Sequence, residues 1–311
     1  MELMPAFKLH QPANVAEAVA LHGGAEDARY VAGGTDMLVN VRRGIERPAT
    51  MVSLEAVAEL KEVSEDAEEL TIGAAVPLAE VAALDVLRRD YAAVAEAAGE
   101  VAGPTHRAYG TLGGNLCLDT RCIYYNQSEW WRASNAYCLK HRGDICHVAP
   151  GGKRCFAAFS GDVAPALLVF EAEVTVAGPD GRRRMPLTEL YRNDGLDHLT
   201  LASGELLVAV HLPKRTAGRP SAYAKSRIRG SIDFPLAGVA VAYDGKDVKV
   251  ALTGVSPHPF VVPKTDAGDL DGLRDRVQSQ AKAMKTTTVP PHYRRRVAGA
   301  LARRLAEQLG S

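Results

Sequence analysis

All five cysteines of this 311-residue chain lie in one stretch of sequence, from Cys117 to Cys155, with the spacing C-x4-C-x15-C-x7-C-x8-C. Thiolates are ligands for zinc and for iron–sulfur clusters, and they also support redox chemistry. A chain of this length can build a large hydrophobic core without disulfides. The clustering therefore predicts a metal-binding or redox function for this stretch.

Three interpretations of the cysteine stretch compete. Structural zinc sites are usually built from close pairs such as C-x2-C, and the stretch contains no such pair. Incidental thiols would be scattered along the chain, whereas the sequence outside this stretch contains no cysteine. An iron–sulfur cluster needs four converging thiolates, and it tolerates wide spacing when a long loop wraps around it. The pattern therefore favours an iron–sulfur cluster.

Two glycine-rich turns, residues 33–36 (GGTD) and 110–115 (GTLGGN), indicate a second kind of chemistry. Glycine lets the backbone approach a ligand closely and adopt positive φ, and consecutive backbone N–H groups form an anion-binding concavity. The hydroxyls of Thr35 and Thr111 and the carboxamide of Asn115 add donors. Either turn alone could be only a tight turn, and neither matches a dinucleotide or P-loop fingerprint. Together they predict a pyrophosphate site.

Composition limits the classes of partner. Lys and Arg together number 37 and equal Asp and Glu at 37, which argues against nucleic acid or an anionic membrane surface as a main partner. No run of about 18 apolar residues occurs, and the N-terminus lacks the pattern of a signal peptide. We therefore expect a cytoplasmic protein that neither spans a membrane nor binds nucleic acid.

Hydrophobic periodicity and turn residues predict an α+β fold. Asn14 is expected to cap a helix that ends at Gly23, and a second strong helix is expected to run from Leu87 to Gly103. Further predictions are a strand over Ala28–Ala32 followed by a helix, a strand–turn–helix from Glu69, a strand over 205–213, hairpins turning at 179–181 and 244–245, and an amphipathic helix near the C-terminus. The composition changes after Pro213, so we expect two domains, residues 1–216 and 217–311.

Seven segments, in order, resemble the FAD-binding subunit of the molybdenum hydroxylases, the xanthine dehydrogenase family: VAGGTDML, IGAAVPLAEV, TLGGNLC, SGDVAPALLVFEAEV, YAKSRIRGSIDFPLAGVAVA, ALTGVSPHPF and HYRRRVAGAL. The resemblance covers nearly the whole chain. It implies an FAD-binding fold of the vanillyl-alcohol-oxidase/p-cresol-methylhydroxylase type, with two α/β subdomains, plus a C-terminal α/β domain of the CO dehydrogenase flavoprotein type.

The resemblance also implies roles for single residues. Asp162 would accept hydrogen bonds from flavin-side hydroxyls, or it could be only the N-cap of the helix that follows. Lys225 would lie near the isoalloxazine ring, or it could be a solvated loop lysine. The backbone of the first glycine turn would bind the FAD pyrophosphate, with help from the second turn; the residues concerned are Ala32, Gly33, Gly34, Thr35, Asp36, Thr111, Gly114 and Asn115.

The chain departs from the family pattern after the second turn. Other members join the GGN turn to the DxxPAL segment by a short loop, whereas 46 residues separate Asn115 from Asp162 here. The insertion, about residues 117–158, carries the cysteines. Cys117 belongs to the FAD turn and is expected to be a buried spare, and Trp130 and Trp131 are expected to pack the loop. The expected ligands of one [4Fe–4S] cluster are Cys122, Cys138, Cys146 and Cys155.

Within the family, TRCIYYNQSEWWRASNAYC and LYRNDGLDHLT are similar to the flavoprotein subunit of 4-hydroxybenzoyl-CoA reductase. That resemblance implies a molybdopterin-binding large subunit and a small subunit with two [2Fe–2S] clusters as partners. Electrons would pass from ferredoxin through [4Fe–4S] and FAD to [2Fe–2S] and molybdenum, for reductive dehydroxylation to benzoyl-CoA. One alternative is a molybdenum hydroxylase for another aromatic or acyl-CoA substrate, with outward electron flow. Another is a zinc-stabilised flavoprotein that acts only in docking.

Overall fold

The computed structural model describes residues 4–310. Its strands are β1 (Lys8–His10), β2 (Ala28–Val31), β3 (Thr50–Ser53), β4 (Val63–Glu65), β5 (Glu69–Gly73), β6 (Glu173–Gly178), β7 (Gly181–Pro186), β8 (Leu206–Pro213), β9 (Ser221–Ser226), β10 (Ala237–Asp244), β11 (Asp247–Thr253) and β12 (Phe260–Asp266). Its helices are α1 (Val15–Gly23), α2 (Met37–Arg42), α3 (Leu78–Val81), α4 (Asp85–Asp90), α5 (Ala92–Glu100), α6 (Pro104–Arg107), α7 (Leu112–Leu116), α8 (Glu129–Ser134), α9 (Val163–Val169), α10 (Leu270–Gln280) and α11 (Pro291–Gly310).

The strands form three sheets within the described residues. The first is parallel, with the order β1-β3-β2, and the second is antiparallel, with the order β4-β5-β8-β6-β7. The third is antiparallel, with the order β12-β11-β10-β9, and α10 and α11 pack on it. This mixed α+β architecture agrees with the predicted fold class. No helix of residues 4–310 is both long enough and apolar enough to cross a membrane.

Helix α9 lies where the second and third sheets meet. All seven of its residues are buried, and it packs against α5, α7, β10 and β11. A seven-residue helix that is apolar on every side is stable only when it is enclosed by protein. The helix therefore places its N-cap residue, Asp162, at the junction between the two halves of the chain.

Several elements follow the local signals. Asn14 Oδ1 accepts the Glu17 N–H at 2.9 Å, and Glu17 Oε2 accepts the Ala13 N–H at 2.8 Å, so α1 begins with reciprocal side-chain caps. The hairpins β6–β7 and β10–β11 turn where predicted, and the C-terminal helix is α11. The first predicted strand ends at Val31, one residue earlier than expected.

The long helix predicted over residues 87–103 is wrong, because the chain breaks at Tyr91 into α4 and α5. Tyr91 leaves the helical region, with φ −141° and ψ 49°, and is fully buried. Its ring meets Phe170 edge-on at 5.1 Å between centroids, and its hydroxyl donates to the Pro213 carbonyl at 3.2 Å. Tertiary packing of one aromatic ring thus overrides the helical propensity of the segment.

The two ends of the insertion lie next to each other in the fold. Arg121 and Ala158 exchange two backbone hydrogen bonds, of 2.7 and 2.8 Å, so residues 122–157 form a closed excursion that contains α8. Trp131 contacts the ring of Tyr124 at 6.3 Å between centroids. Trp130 does not pack the loop as expected, because 76% of it is exposed.

Candidate functional site

A large cavity of about 620 Å³ opens between the first two sheets and the C-terminal half. Its volume is in the range of sites for large organic ligands, about 300–1,000 Å³. Of the ten predicted cofactor-binding residues, nine line it: Ala32, Gly33, Gly34, Thr35, Asp36, Thr111, Gly114, Asn115 and Asp162. Lys225 does not line the cavity, but its Nζ contacts Asp162, which does.

The two glycine turns are not equivalent in hydrogen bonding. In the second turn, Gly113 N donates to Ala74 O at 2.7 Å and Gly114 N to Thr111 Oγ1 at 3.1 Å. In the first turn, the hydrogen bonds of the described residues use no backbone N–H of residues 33–36 as a donor. Unpaired N–H groups in a turn that lines a cavity would suit an anionic ligand such as a pyrophosphate. The Thr111 hydroxyl oxygen accepts as the N-cap of α7, and its own O–H is still able to donate.

The two turns contact each other through their glycines. A Cβ atom on Gly33 would lie 1.7 Å from the carbonyl oxygen of Tyr109, and one on Gly110 would lie 3.3 Å from Thr35 Oγ1. A Cβ on Gly114 would meet only Thr111 Oγ1, at 3.0 Å. Gly33 is therefore required by the packing of protein on protein, whereas Gly114 leaves room on the cavity side.

A network that includes the insertion holds Asp36 in place. Its carboxylate forms an ion pair with Arg121 and accepts from Asn40 Nδ2 at 2.9 Å. Burial raises the pKa of Asp36, and the Arg121 guanidinium opposes that rise. The Arg121 guanidinium also stacks on Phe234 at 4.9 Å, so it links the first glycine turn, the insertion and the C-terminal half.

Asp162 and Lys225 form a buried ion pair, with Nζ 3.0 Å from Oδ2 and the side chains 4% and 1% exposed. Tyr223 donates its hydroxyl to the other oxygen, Asp162 Oδ1, at 2.6 Å. Asp162 occupies the predicted N-cap position of α9, but its side chain makes no cap hydrogen bond. The solvated-loop alternative for Lys225 is wrong, because this lysine is buried on β9.

The four insertion cysteines line one small cavity within the insertion, together with Tyr124, Tyr125, Lys140 and His147. Cys122, Cys146 and Cys155 are buried, and Cys138 is partly buried. Burial raises the pKa of the Cys122 thiol to about 11 and that of the Cys155 thiol to about 12. Cys117 does not line this cavity; it lines the large one and is only partly buried, whereas the sequence predicted a buried thiol.

The four thiols are not grouped tightly enough for a single ion. Within residues 4–310 no three His, Cys, Asp or Glu side chains are close enough together to hold one metal ion. In a zinc site each sulfur lies about 2.3 Å from the metal, which puts the sulfurs about 3.8 Å apart. The four thiols therefore line one cavity without forming a single-ion site in the described residues.

Three residues of this region were not predicted: Arg121, Lys140 and Tyr223. Tyr223 and Lys225 are two positions apart on β9, and that spacing places both side chains on one face of a strand. This two-residue spacing is visible in the sequence. The segment around it is polar and basic, however, so the sequence did not predict a strand there. Arg121 and Lys140 act through partners distant in sequence, so no local pattern marks them.

Comparison with known proteins supports this description of the fold. Residues 5–215 match the family model described as the FAD binding domain in molybdopterin dehydrogenase. The aldehyde oxidoreductase FAD-binding subunit PaoB of Escherichia coli (strain K12) is 33% identical over 275 residues, which cover 85% of this chain and 86% of PaoB. The chain therefore belongs to this family of FAD-binding oxidoreductase components.

Other relatives agree with this assignment. The carbon monoxide dehydrogenase medium chain of Hydrogenophaga pseudoflava is 28% identical over 260 residues, which cover 81% of this chain and 76% of that one. A solved structure, the Cu,Mo-CO dehydrogenase in its cyanide-inactivated form, superposes with a TM-score of 0.78 over 99% of both chains at 23% identity. At that identity the structural likeness supports the fold alone.

Proposed function

We propose that this chain holds FAD in the large cavity and one [4Fe–4S] cluster on Cys122, Cys138, Cys146 and Cys155, and that it is the electron-transfer subunit of a molybdenum enzyme. The observation that carries the proposal is the convergence of these four thiols, spread over 34 residues of sequence, on one small cavity beside the large one. Since FAD takes one or two electrons and a cluster takes one, the two groups supply electron transfer when bound.

The number and the spacing of the cysteines suit a four-iron cluster better than zinc. A cluster needs four thiolates, and four cysteines line the small cavity. Zinc sites are usually built from close C-x2-C pairs, and the chain has no such pair. The raised pKa values of Cys122 and Cys155 mean that cluster binding would release protons, so assembly is expected to weaken as pH falls.

The protein's own residues would bind and orient FAD. The unpaired N–H groups of residues 33–36 would hold the pyrophosphate, and the Arg121 guanidinium would offset the negative charge of the neighbouring Asp36 carboxylate. Asn115 Oδ1 accepts the Val163 N–H at 3.0 Å, which leaves its amide nitrogen as the group able to donate into the cavity. Asp162 would accept from ligand hydroxyls while Tyr223 and Lys225 fix its orientation.

For the reaction, we propose the 4-hydroxybenzoyl-CoA reductase type, with a molybdopterin subunit, a two-[2Fe–2S] subunit and ferredoxin as electron donor. Support comes from the second segment that resembles that enzyme, LYRNDGLDHLT. It packs on the insertion: Cys155 N donates to Asp194 Oδ1 at 3.1 Å, and Gly195 N donates to Cys155 O at 2.9 Å. The segment and the cysteine loop therefore form one structural unit.

A second candidate is a molybdenum hydroxylase with outward electron flow. The names of the relatives favour it, because they include an aldehyde oxidoreductase, a carbon monoxide dehydrogenase and a nicotinate dehydrogenase. The complex should be assayed with 4-hydroxybenzoyl-CoA plus reduced ferredoxin, and separately with aldehydes or N-heteroaromatics plus an electron acceptor. Turnover only in the second assay would support the second candidate and overturn the reductase proposal.

The cluster is tested by the iron and acid-labile sulfide content of the purified chain. We expect about four irons per chain. Cys138→Ser should lose them and keep FAD, because the two cavities are separate. Cys117→Ser is the matched control and should retain full iron, because Cys117 faces the other cavity. Zinc in place of iron, or iron retained in Cys138→Ser and lost in Cys117→Ser, would overturn the assignment.

A further inference from the structure

Lys140 is a buried cation placed between the two cavities. Its side chain is 4% exposed and lines the small cavity of the four cysteines. Its Nζ lies 2.6 Å from the carboxylate of Asp119, and Asp119 lines the large cavity. The ion pair therefore spans the wall that separates the proposed cluster site from the proposed FAD site.

The ammonium group is held in one position. Its three N–H groups donate to Asp119, to the Thr120 hydroxyl and to the Gly195 carbonyl, the last at 2.7 Å. It also lies over the ring of Tyr125, 4.9 Å from the centroid. A lysine with three acceptors and an aromatic face beneath it has no freedom to move its charge away. Within the described residues it is the one Lys or Arg that lines the small cavity.

The charge of Lys140 acts on both cavities. On the cluster side, Lys140 lines the same small cavity as the four cysteines. On the FAD side, burial raises the pKa of Glu46, which lines the large cavity, and Lys140 is among the cations that oppose this rise. The Lys140 charge lies in poorly solvated protein between the two cavities. It would therefore stabilise the reduced form of a redox group bound in either cavity.

We propose that Lys140 is a shared positioning charge that raises the reduction potentials of both redox groups, and that Asp119 limits how much of that charge reaches the FAD side. The proposal rests on the function proposed above. One-electron reduction adds one negative charge to the cluster or the flavin, and a fixed cation favours the more negative form. Lys140 would thus raise the reduction potentials of the cluster and the flavin together.

The test compares three variants of the full-length chain in the complex in which it is purified. Lys140→Met removes the charge, Lys140→Arg retains it, and Asp119→Asn removes the counter-charge. The cluster potential is measured by redox titration with electron paramagnetic resonance, and the flavin potential is measured by visible absorbance. FAD and iron contents are measured alongside.

In Lys140→Met both potentials should become more negative. At the wild-type cluster midpoint the ratio of reduced to oxidised cluster should fall at least tenfold, which is 59 mV for a one-electron couple. Lys140→Arg should stay within threefold of the wild-type ratio. Asp119→Asn should shift both potentials in the positive direction, with the larger shift at the flavin, because Asp119 lines that cavity. A purely structural role would not give opposite signs in the two variants.

The outcomes separate this inference from the proposed function. Absence of iron from the wild-type chain overturns the cluster, and the flavin potential then still tests Lys140. If Lys140→Met fails to fold, the test rests on the sign of the change in reduction potential in Asp119→Asn. That variant keeps a hydrogen-bond acceptor for Lys140, because the asparagine side chain still has a carbonyl oxygen. Unchanged potentials in a fully loaded Lys140→Met variant, or shifts of the same sign in Lys140→Met and Asp119→Asn, overturn the inference.

Discussion

The ion pair of Asp162 and Lys225 joins α9 to β9 across the junction of the two halves of the chain, and both side chains are almost fully excluded from water. Lys225→Met keeps the length of the side chain and removes its charge. Removing one partner of a buried pair costs about 3–5 kcal/mol, because the other charge remains buried without compensation. Asp162 keeps the hydrogen bond from Tyr223, so we expect a loss of about 3 kcal/mol in the free energy of unfolding.

The loss of unfolding free energy in Lys225→Met should be larger at high pH than at low pH. Burial raises the pKa of Asp162 above its ordinary value of 3.8, and Lys225 is the largest opposing influence. Without Lys225 the pKa rises further, so the folded state binds a proton that the unfolded state releases. Stability then falls as pH rises above 3.8, and part of the loss in Lys225→Met is recovered as pH is lowered toward that value.

The measurement is guanidinium unfolding of the FAD-loaded chain, followed by far-ultraviolet circular dichroism at about pH 5 and about pH 8. Lys214→Met is the matched control, because Lys214 pairs with Glu65 at the surface, where the side chains are 23% and 43% exposed. We expect the control to lose less than about 1 kcal/mol at both pH values. A loss below about 1 kcal/mol in Lys225→Met, equal at both pH values, would refute the buried-charge argument.

Three further predictions follow from the glycine turns and their neighbours. Gly33→Ala should destabilise the fold by about 3 kcal/mol, since its Cβ would lie 1.7 Å from the Tyr109 carbonyl oxygen, and an unchanged melting temperature would contradict the packing argument. Gly114→Val should keep the fold and lose FAD, measured as flavin absorbance after gel filtration, and full flavin content would argue against the assignment of the large cavity. Asn115→Ala should cost about 1–3 kcal/mol in thermal unfolding because it leaves the buried Val163 N–H unpaired, and a neutral effect would show that the bond contributes nothing.

The elements that the sequence predicts well are those whose signals are local. The caps of α1 involve Ala13, Asn14 and Glu17, all within five residues of each other. The hairpins turn at glycine or aspartate positions that any chain would use in the same way. The elements that fail depend on distant contacts: Tyr91 breaks a helix to reach Phe170 and Pro213, and β9 exists because it pairs with β10.

The same division holds for the candidate site. The sequence by itself determined that two glycine turns and one cysteine-bearing insertion are present, because residue type and spacing are properties of the chain. Only the tertiary structure decided that the first turn keeps its N–H groups unpaired, that Asp162 meets Lys225, and that Lys140 lies in the wall between the cavities. Hydrogen-bond and charge partners are set by which segments the fold brings together, and no local pattern in the sequence contains that information.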